Sequence, residues 1–454
     1  VQRFFLATLG CAKNVVDSAD ARRALLAAGW VETDDASSAD LLVVNTCGFI
    51  TPAKQESIDT ILDLAQHKKY GARLVMAGCF VQRNAQELAA SLPEVDGFFG
   101  ISFADALASH PDHSGVFPLP VPVGTEPYSP RLGASFDAGP GSAWLKISDG
   151  CDNRCSYCAI PDIRGPYRAR PAADILSEAR ILAESGIQEI NIISQDTSRY
   201  TNPDQPGMDL IRLLDEIERL DGPRWIRLLY LHPATTSPAL IQRMLSGGKV
   251  LPYFDLPVQS LVDSTLARMK RRTTWADVSR LVETIRSKNS QATIRSTLIT
   301  GYPGETPKDH ALTIERLQQL SFDKLGAFVW SPEEGTPAAS ERPRVTEATA
   351  NRRLDEIMRT QQEISSRLLA RYIGKTLPIL VTGSTLDPES IPPEGLPLDP
   401  SAPSCWGRGP ADAPDVDGLA CATIPAGKPV PKPGSFAEIR IESSTEYDLY
   451  GALA

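Results

Sequence analysis

Between Trp144 and about residue 331, short apolar runs alternate with longer amphipathic ones, and this constrains the fold more than any other feature. AWLKIS, QEINIIS, WIRLLYL, PYFDLPV, ATIRSTLIT and KLGAFVWS read as strands. Segments between them, such as ADILSEARILAESG, MDLIRLLDEIERL and DHALTIERLQQL, read as helices. Parallel β–α units cross over right-handed and curl into a barrel. Six units over about 185 residues predict an open barrel, since a closed one takes eight.

The first hundred residues alternate in the same way. RFFLATLG, DLLVVNTCG and RLVMAGCF read as strands, the second buried on both faces. DSADARRALLAAG reads as a helix capped near Asp17 or Ser18, and TPAKQESIDTILDLAQHKK as another. This predicts a parallel sheet covered by helices. Residues 111–143 are rich in Pro, Gly and Ser without a period and read as a linker. A polar helix follows EEGTPAA, and residues 375–454 read as a small β domain. Its clearest strands are TLPILVTG and FAEIRIESSTEYDLYGAL, with Pro-rich LDPESIPPEGLPLDPSAPS as a long loop. The expected class is α/β, divided as 1–110 (parallel sheet domain), 111–143 (linker), 144–339 (partial barrel), 340–374 (connecting helix) and 375–454 (β domain).

Net charge is −10, which argues against a protein that grips nucleic acid mainly through a basic surface. No apolar stretch has the length of a membrane span, and VQRFFLATLGC lacks the basic lead of a signal peptide. Eight scattered cysteines do not make a disulfide scaffold. A cytoplasmic enzyme with reduced thiols is the expectation, and clustered cysteines there point to metal or redox chemistry.

GCDNRCSYCAIP supplies Cys151, Cys155 and Cys158 on one loop at the end of the first barrel strand. Three thiolates leave one iron of a cubane cluster open, and an open position marks chemistry. A zinc knuckle or three core thiols is the plainer alternative. Cys11, Cys47 and Cys79 each end an N-terminal strand beside a glycine (Gly10, Gly48, Gly78). In a parallel sheet those ends share one edge, so the three can meet. Cys405 and Cys421 carry no pattern.

The Cys151-x3-Cys155-x2-Cys158 loop, with Tyr157 before the last cysteine, resembles the cluster motif of radical S-adenosylmethionine (SAM) enzymes. With LGCAKN, NTCGF, GCF and DGCDNRCSYCAIPDIRG in order, essentially the whole chain resembles the methylthiotransferases, whose small C-terminal β domain is called TRAM. LKISDGC, WIRLLYLHP, LGAFVWSPEEGTPAA and EYDLYGAL are similar to the RimO type, which modifies the β-carbon of an aspartate in the twelfth small-subunit ribosomal protein. Ser260, in DLPVQSLVDSTLARMKRR, is closer to the MiaB type, which modifies tRNA adenosines and is the alternative.

The resemblance implies two 4Fe-4S clusters, one on Cys151, Cys155 and Cys158 that binds and cleaves SAM, and one on Cys11, Cys47 and Cys79 that presents sulfur. It also implies a protein reductant such as a flavodoxin or ferredoxin. Tyr157, Gln195 and Arg295 are the cofactor-binding candidates, with Asp196 and the GYPGE turn beside them. For these, ordinary strand-end or loop polarity is the alternative, and His232 reads as structural. From residue 375 on, five basic residues stand against eleven acidic ones, a charge of −6. That favours a basic protein substrate over nucleic acid as the primary partner.

Overall fold

A run such as LLVV can be buried on both faces only inside a sheet with helices on each side. The computed structural model, which describes residues 1–119, 135, 137–393, 396 and 402–454, places it there. Strands β1 (Arg3–Thr8), β2 (Val31–Glu32), β3 (Leu41–Thr46), β4 (Arg73–Gly78), β5 (Gly97–Phe99) and β6 (Gly115–Val116) form a parallel sheet in the order β2-β1-β3-β4-β5-β6. Leu42, Val44, Leu74 and Met76 pack under helices α2 (Thr51–His67) and α3 (Cys79–Ser91). Val43, Val75 and Ala77 face α1 (Ala12–Ala27).

Helix α1 begins directly after Cys11, which corrects the cap expected at Asp17 or Ser18. Both lie in its second turn and have tertiary partners instead. Ser18 Oγ accepts from Thr8 Oγ1 (2.7 Å) and Asn45 Nδ2 (3.0 Å), and Asp17 pairs with Lys146 and Arg164.

The barrel strands are β7 (Ser142–Lys146), β10 (Glu189–Ile193), β11 (Trp225–Leu228), β12 (Tyr253–Gln259), β13 (Thr293–Thr300) and β14 (Lys324–Val329). A short antiparallel pair, β8 (Ser148–Asp149) with β9 (Arg168–Ala169), closes the base of the cysteine loop. The strands form parallel sheets β11-β10-β7 and β12-β13-β14. These meet where Ile226 bridges Val250 and the Leu231 N–H donates to the Asp255 carbonyl (2.9 Å). Among the described residues β7 and β14 do not pair, so the barrel is open, as six units require.

Strands β15 (Thr376–Ser384), β16 (Ser404–Arg408), β17 (Ala420–Thr423), β18 (Phe436–Ser444) and β19 (Leu449–Leu453) close a second barrel in the order β15-β16-β17-β19-β18. Its short strands β16 and β17 bury Cys405 and Cys421. Much of the proposed linker and of the Pro-rich loop lies outside the described residues. No described helix is long and apolar enough to cross a membrane.

Strand alternation sends Ala143, Leu145, Ile190 and Ile192 toward the outer helices, and Trp144, Ile193, Trp225 and Tyr253 into the lumen. There they meet Val16 of α1 and Ala413 of the C-terminal domain. The C-terminal loop after β16 seats in this lumen on charged pairs. Arg408 and Arg227 both hold Glu189, Lys324 holds Asp412 (2.8 Å), and Arg295 reaches Asp417 (3.5 Å). Arg227 Nη1 also donates to the Pro410 carbonyl (2.9 Å). This corrects the charge argument from sequence: Asp412 and Asp417 fasten the domain internally and are not surface charge.

Candidate active site between two cysteine sets

Strands β1, β3 and β4 are neighbours in the sheet, so Cys11, Cys47 and Cys79, just past their ends, fall on one edge. Cys11 caps α1 and Cys79 begins α3. Asn14 braces the group: its Nδ2 donates to the carbonyls of Leu9 (2.8 Å) and Thr46 (3.2 Å), and its Oδ1 lies 3.6 Å from Cys79 Sγ. The Phe49 N–H points to the Cys47 sulfur. Burial raises the Cys47 thiol and pushes Cys79 up to about 12.

The glycines beside these cysteines are required by the protein's own packing. A Cβ on Gly10 (φ +94°) would lie 2.7 Å from Cys47 Cβ, and one on Gly48 would lie 2.6 Å from Phe80 Cα. A Cβ on Gly78 (φ +94°) would strike Asn45.

The other set lies on the loop between β8 and β9. Ser156 anchors it: its N–H donates to the Met269 carbonyl (3.1 Å), its Oγ donates to the Arg268 carbonyl (2.7 Å), and Tyr302 OH of the GYPGE turn lies 2.8 Å from that Oγ. Asn153 Nδ2 lies 3.4 Å from Cys151 Sγ and donates to Asp196 (2.8 Å). Arg271 Nη1 lies 3.7 Å from Cys155 Sγ. Backbone N–H groups of Asn153 and Ile160 point to the Cys151 and Cys158 sulfurs. Burial raises Cys151 and pushes Cys158 up to about 12.

Among the described residues no three His, Cys, Asp or Glu side chains close on a single ion. A cubane is bulky, and its ligands surround it at a distance. Two sets of three thiols, each with N–H groups or cations aimed at its sulfurs, fit such a group.

The helix Ile160–Arg164 leaves the cysteine loop at once and joins the sets. Its Ile163, with Ala159, packs on Cys79. Arg164 is buried between the domains. Its Nη2 lies 3.4 Å from Cys79 Sγ and donates to Asn14 Oδ1 (3.0 Å) and Asp17 (2.8 Å), while Nη1 reaches Asp149 (3.2 Å). Lys146 pairs with the same Asp17 (2.6 Å) and Asp149 (3.4 Å). Burial alone would raise the Asp149 carboxyl, but Lys146 and Arg164 hold it well below the usual range.

A second latch lies on α2 and α3. Buried Glu333, from SPEEGT, accepts from Lys54 (2.8 Å), Arg83 (2.9 Å) and the Thr51 N–H (3.1 Å). Lys13, two residues past Cys11, is also buried, with Nζ 2.8 Å from the Tyr230 ring centroid. Burial pulls it down to about 8.

Gln195 Nε2 donates to Asp149 (2.8 Å), so this candidate lies at the junction. Tyr157 packs with Met269 and Tyr302 beneath the loop. Arg295 is committed to Asp255 (3.1 Å) and Asp417, on the side of the C-terminal domain. His232 Nδ1 accepts from the Ala234 N–H (3.1 Å), and burial with nearby Arg271 lowers it to about 3, so it is a neutral structural group. Ser260 is buried and accepts from the Val262 N–H (3.2 Å), a turn role. Sequence reasoning missed Arg164, Asp149, Lys146 and Glu333 as site residues. Arg164 and Asp149 flank the cysteine loop, and that adjacency was the available signal.

An open parallel barrel with a three-cysteine loop at its mouth defines a radical SAM enzyme, and the chain matches the Radical SAM superfamily over residues 145–317. Residues 3–100 match Uncharacterized protein family UPF0004, and residues 398–453 match the TRAM domain. The chain is 39% identical over 452 residues (98% of each chain) to the ribosomal protein uS12 methylthiotransferase RimO of Desulfosudis oleivorans. It is also 39% identical to that of Pelobacter propionicus, covering all of this chain and 98% of the other. The chain belongs to the RimO family of methylthiotransferases. Among solved structures, the radical SAM methyltransferase TsrM from Kitasatospora setae, with tryptophan and a SAM analogue, matches with a TM-score of 0.55 and 17% identity, covering 74% and 75% of the two chains. That likeness concerns the fold alone.

Proposed function

We propose that this enzyme adds a methylthio group to the β-carbon of an aspartate in ribosomal protein uS12, working in the cytoplasm. Cys151, Cys155 and Cys158 hold the cluster that binds SAM, and Cys11, Cys47 and Cys79 hold the second cluster. When bound, the clusters and SAM supply reductive SAM cleavage, hydrogen abstraction from an unactivated C–H bond, the sulfur and the methyl group. The reading is carried by the contact of Cys79 with the helix that leaves the Cys158 loop. This contact supports a single substrate space shared by the two sets. Arg164, Lys146, Asp17 and Asp149 fix their relative position, and Asn153 and Arg271 orient the SAM-side thiols. Gln195 and Tyr157 line the SAM side of this space. A flavodoxin or ferredoxin serves as the electron donor.

The test is anaerobic reconstitution with SAM, reductant and sulfide, offering uS12 and tRNA in parallel, followed by mass spectrometry. A methylthio group on a uS12 aspartate, with tRNA unmodified, is expected. Modified adenosine with uS12 untouched would overturn the reading.

A further inference from the structure

Lys13 is 6% exposed and stands in the first turn of α1. Its ammonium carries three N–H donors. Among the described residues it makes no ion pair and donates to no oxygen, and its Nζ lies over the face of Tyr230. A buried charge is costly unless paired, and one aromatic face is a partial substitute. The cations around it are engaged: Lys146 and Arg164 with Asp17 and Asp149, Arg295 with Asp255 and Asp417. Tyr230 is held on the barrel side, its N–H donating to Asp255 (2.8 Å) and its carbonyl accepting from the Thr197 N–H (3.1 Å). Lys13 therefore reaches from the second-cluster domain to a strand end of the barrel, with Arg164, Asp255 and Asp149 as charged neighbours. Arg164 already serves the Cys79 sulfur, and Lys13 points away from it to the barrel.

We propose that Lys13 binds the side-chain carboxylate of the aspartate to be modified and sets the preference for aspartate over asparagine. The inference rests on the proposed function. The carboxylate is one bond from the reacting β-carbon and is unchanged by the reaction. A donor held on it fixes the direction of the Cβ–H bond without touching that bond. An asparagine in its place would give the ammonium no carboxylate to pair with directly.

The experiment compares reconstituted wild type with Lys13→Met and Lys13→Arg. Each is offered intact uS12 and its Asp→Asn variant at the modified position. Iron and sulfide content, affinity by fluorescence anisotropy, and turnover are recorded. Wild type should prefer the aspartate protein by about 10²-fold or more. Lys13→Met should keep wild-type iron and sulfide while its preference falls toward unity in both affinity and turnover, with Lys13→Arg between. A Lys13→Met enzyme with an undiminished ratio, or with depleted iron and an undiminished ratio, overturns the assignment. A wild type that leaves uS12 unmodified overturns the proposed function itself, which separates the two failures.

Discussion

Arg164 Nη2 lies 3.4 Å from Cys79 Sγ, although one residue belongs to the barrel and the other to the N-terminal sheet domain. The same guanidinium holds Asp17 and Asp149, so a single side chain ties the two cysteine sets and two buried carboxylates together. Removing it leaves Asp17 to Lys146, and Asp149 to Lys146 and Gln195. Arg164→Met should lower stability by about 3 kcal/mol, the low end for a broken buried pair because Lys146 remains. Urea denaturation of the metal-free protein checks this, and a midpoint equal to wild type would refute the bridging role.

The two cysteine sets should be separable by iron content. Cys11, Cys47 and Cys79 replaced together by Ala should halve the iron bound after reconstitution and leave SAM cleavage measurable. The triple replacement at Cys151, Cys155 and Cys158 should also halve iron and abolish cleavage. Full iron in either variant would mean that the assignment of ligands is wrong.

Glu333 joins α2 and α3 to the barrel through Lys54 and Arg83. Burial would raise its carboxyl, yet these partners and Ser331 keep it below the usual range. Glu333→Ala should accelerate hydrogen exchange in both residues 51–57 and residues 331–337, because each loses its anchor. Exchange unchanged on either side would show that apolar packing alone holds the face.

Glu189 gives a pH dependence. Burial opposes its ionisation, but Arg408 and Arg227 bring it down from 4.5 to about 2. A depressed carboxyl contributes stability that is present above the unfolded value and lost as pH falls through the folded one. The contribution is therefore full above about pH 4.5 and disappears between there and about pH 2. Wild type should lose stability more steeply than Glu189→Gln in that window, measured by thermal melts at stepped pH. Parallel curves would discount the pair.

The strand alternation made both parallel sheets and the open barrel legible, because buried parallel strands must be continuous apolar runs. The two cysteine sets were legible for different reasons, Cys151–Cys158 by spacing and Cys11, Cys47 and Cys79 by topology alone. Strands β16 and β17 were missed because SCWGR and ACAT are short and lack alternation. The cap of α1 was misplaced because Asp17 and Ser18 look like capping residues and are instead pulled inward by Lys146 and Asn45. Lys13 and Glu333 were invisible, since their partners Tyr230, Lys54 and Arg83 lie on elements remote in sequence.

The C-terminal loop seated in the barrel lumen has a mechanical meaning. Asp412, Asp417 and Arg408 are fastened to Lys324, Arg295 and Glu189 in the first residues of β14, β13 and β10, away from the strand ends where the three-cysteine loop lies. The small barrel is thus set at a fixed distance from the reacting centre and acts as a gauge, not a swinging arm. Whatever part of a substrate rests on it, the length of chain from that point to the reacting carbon is dictated by the enzyme. Cutting the module away would leave Glu189, Arg227, Arg295 and Lys324 facing water at the floor of the barrel.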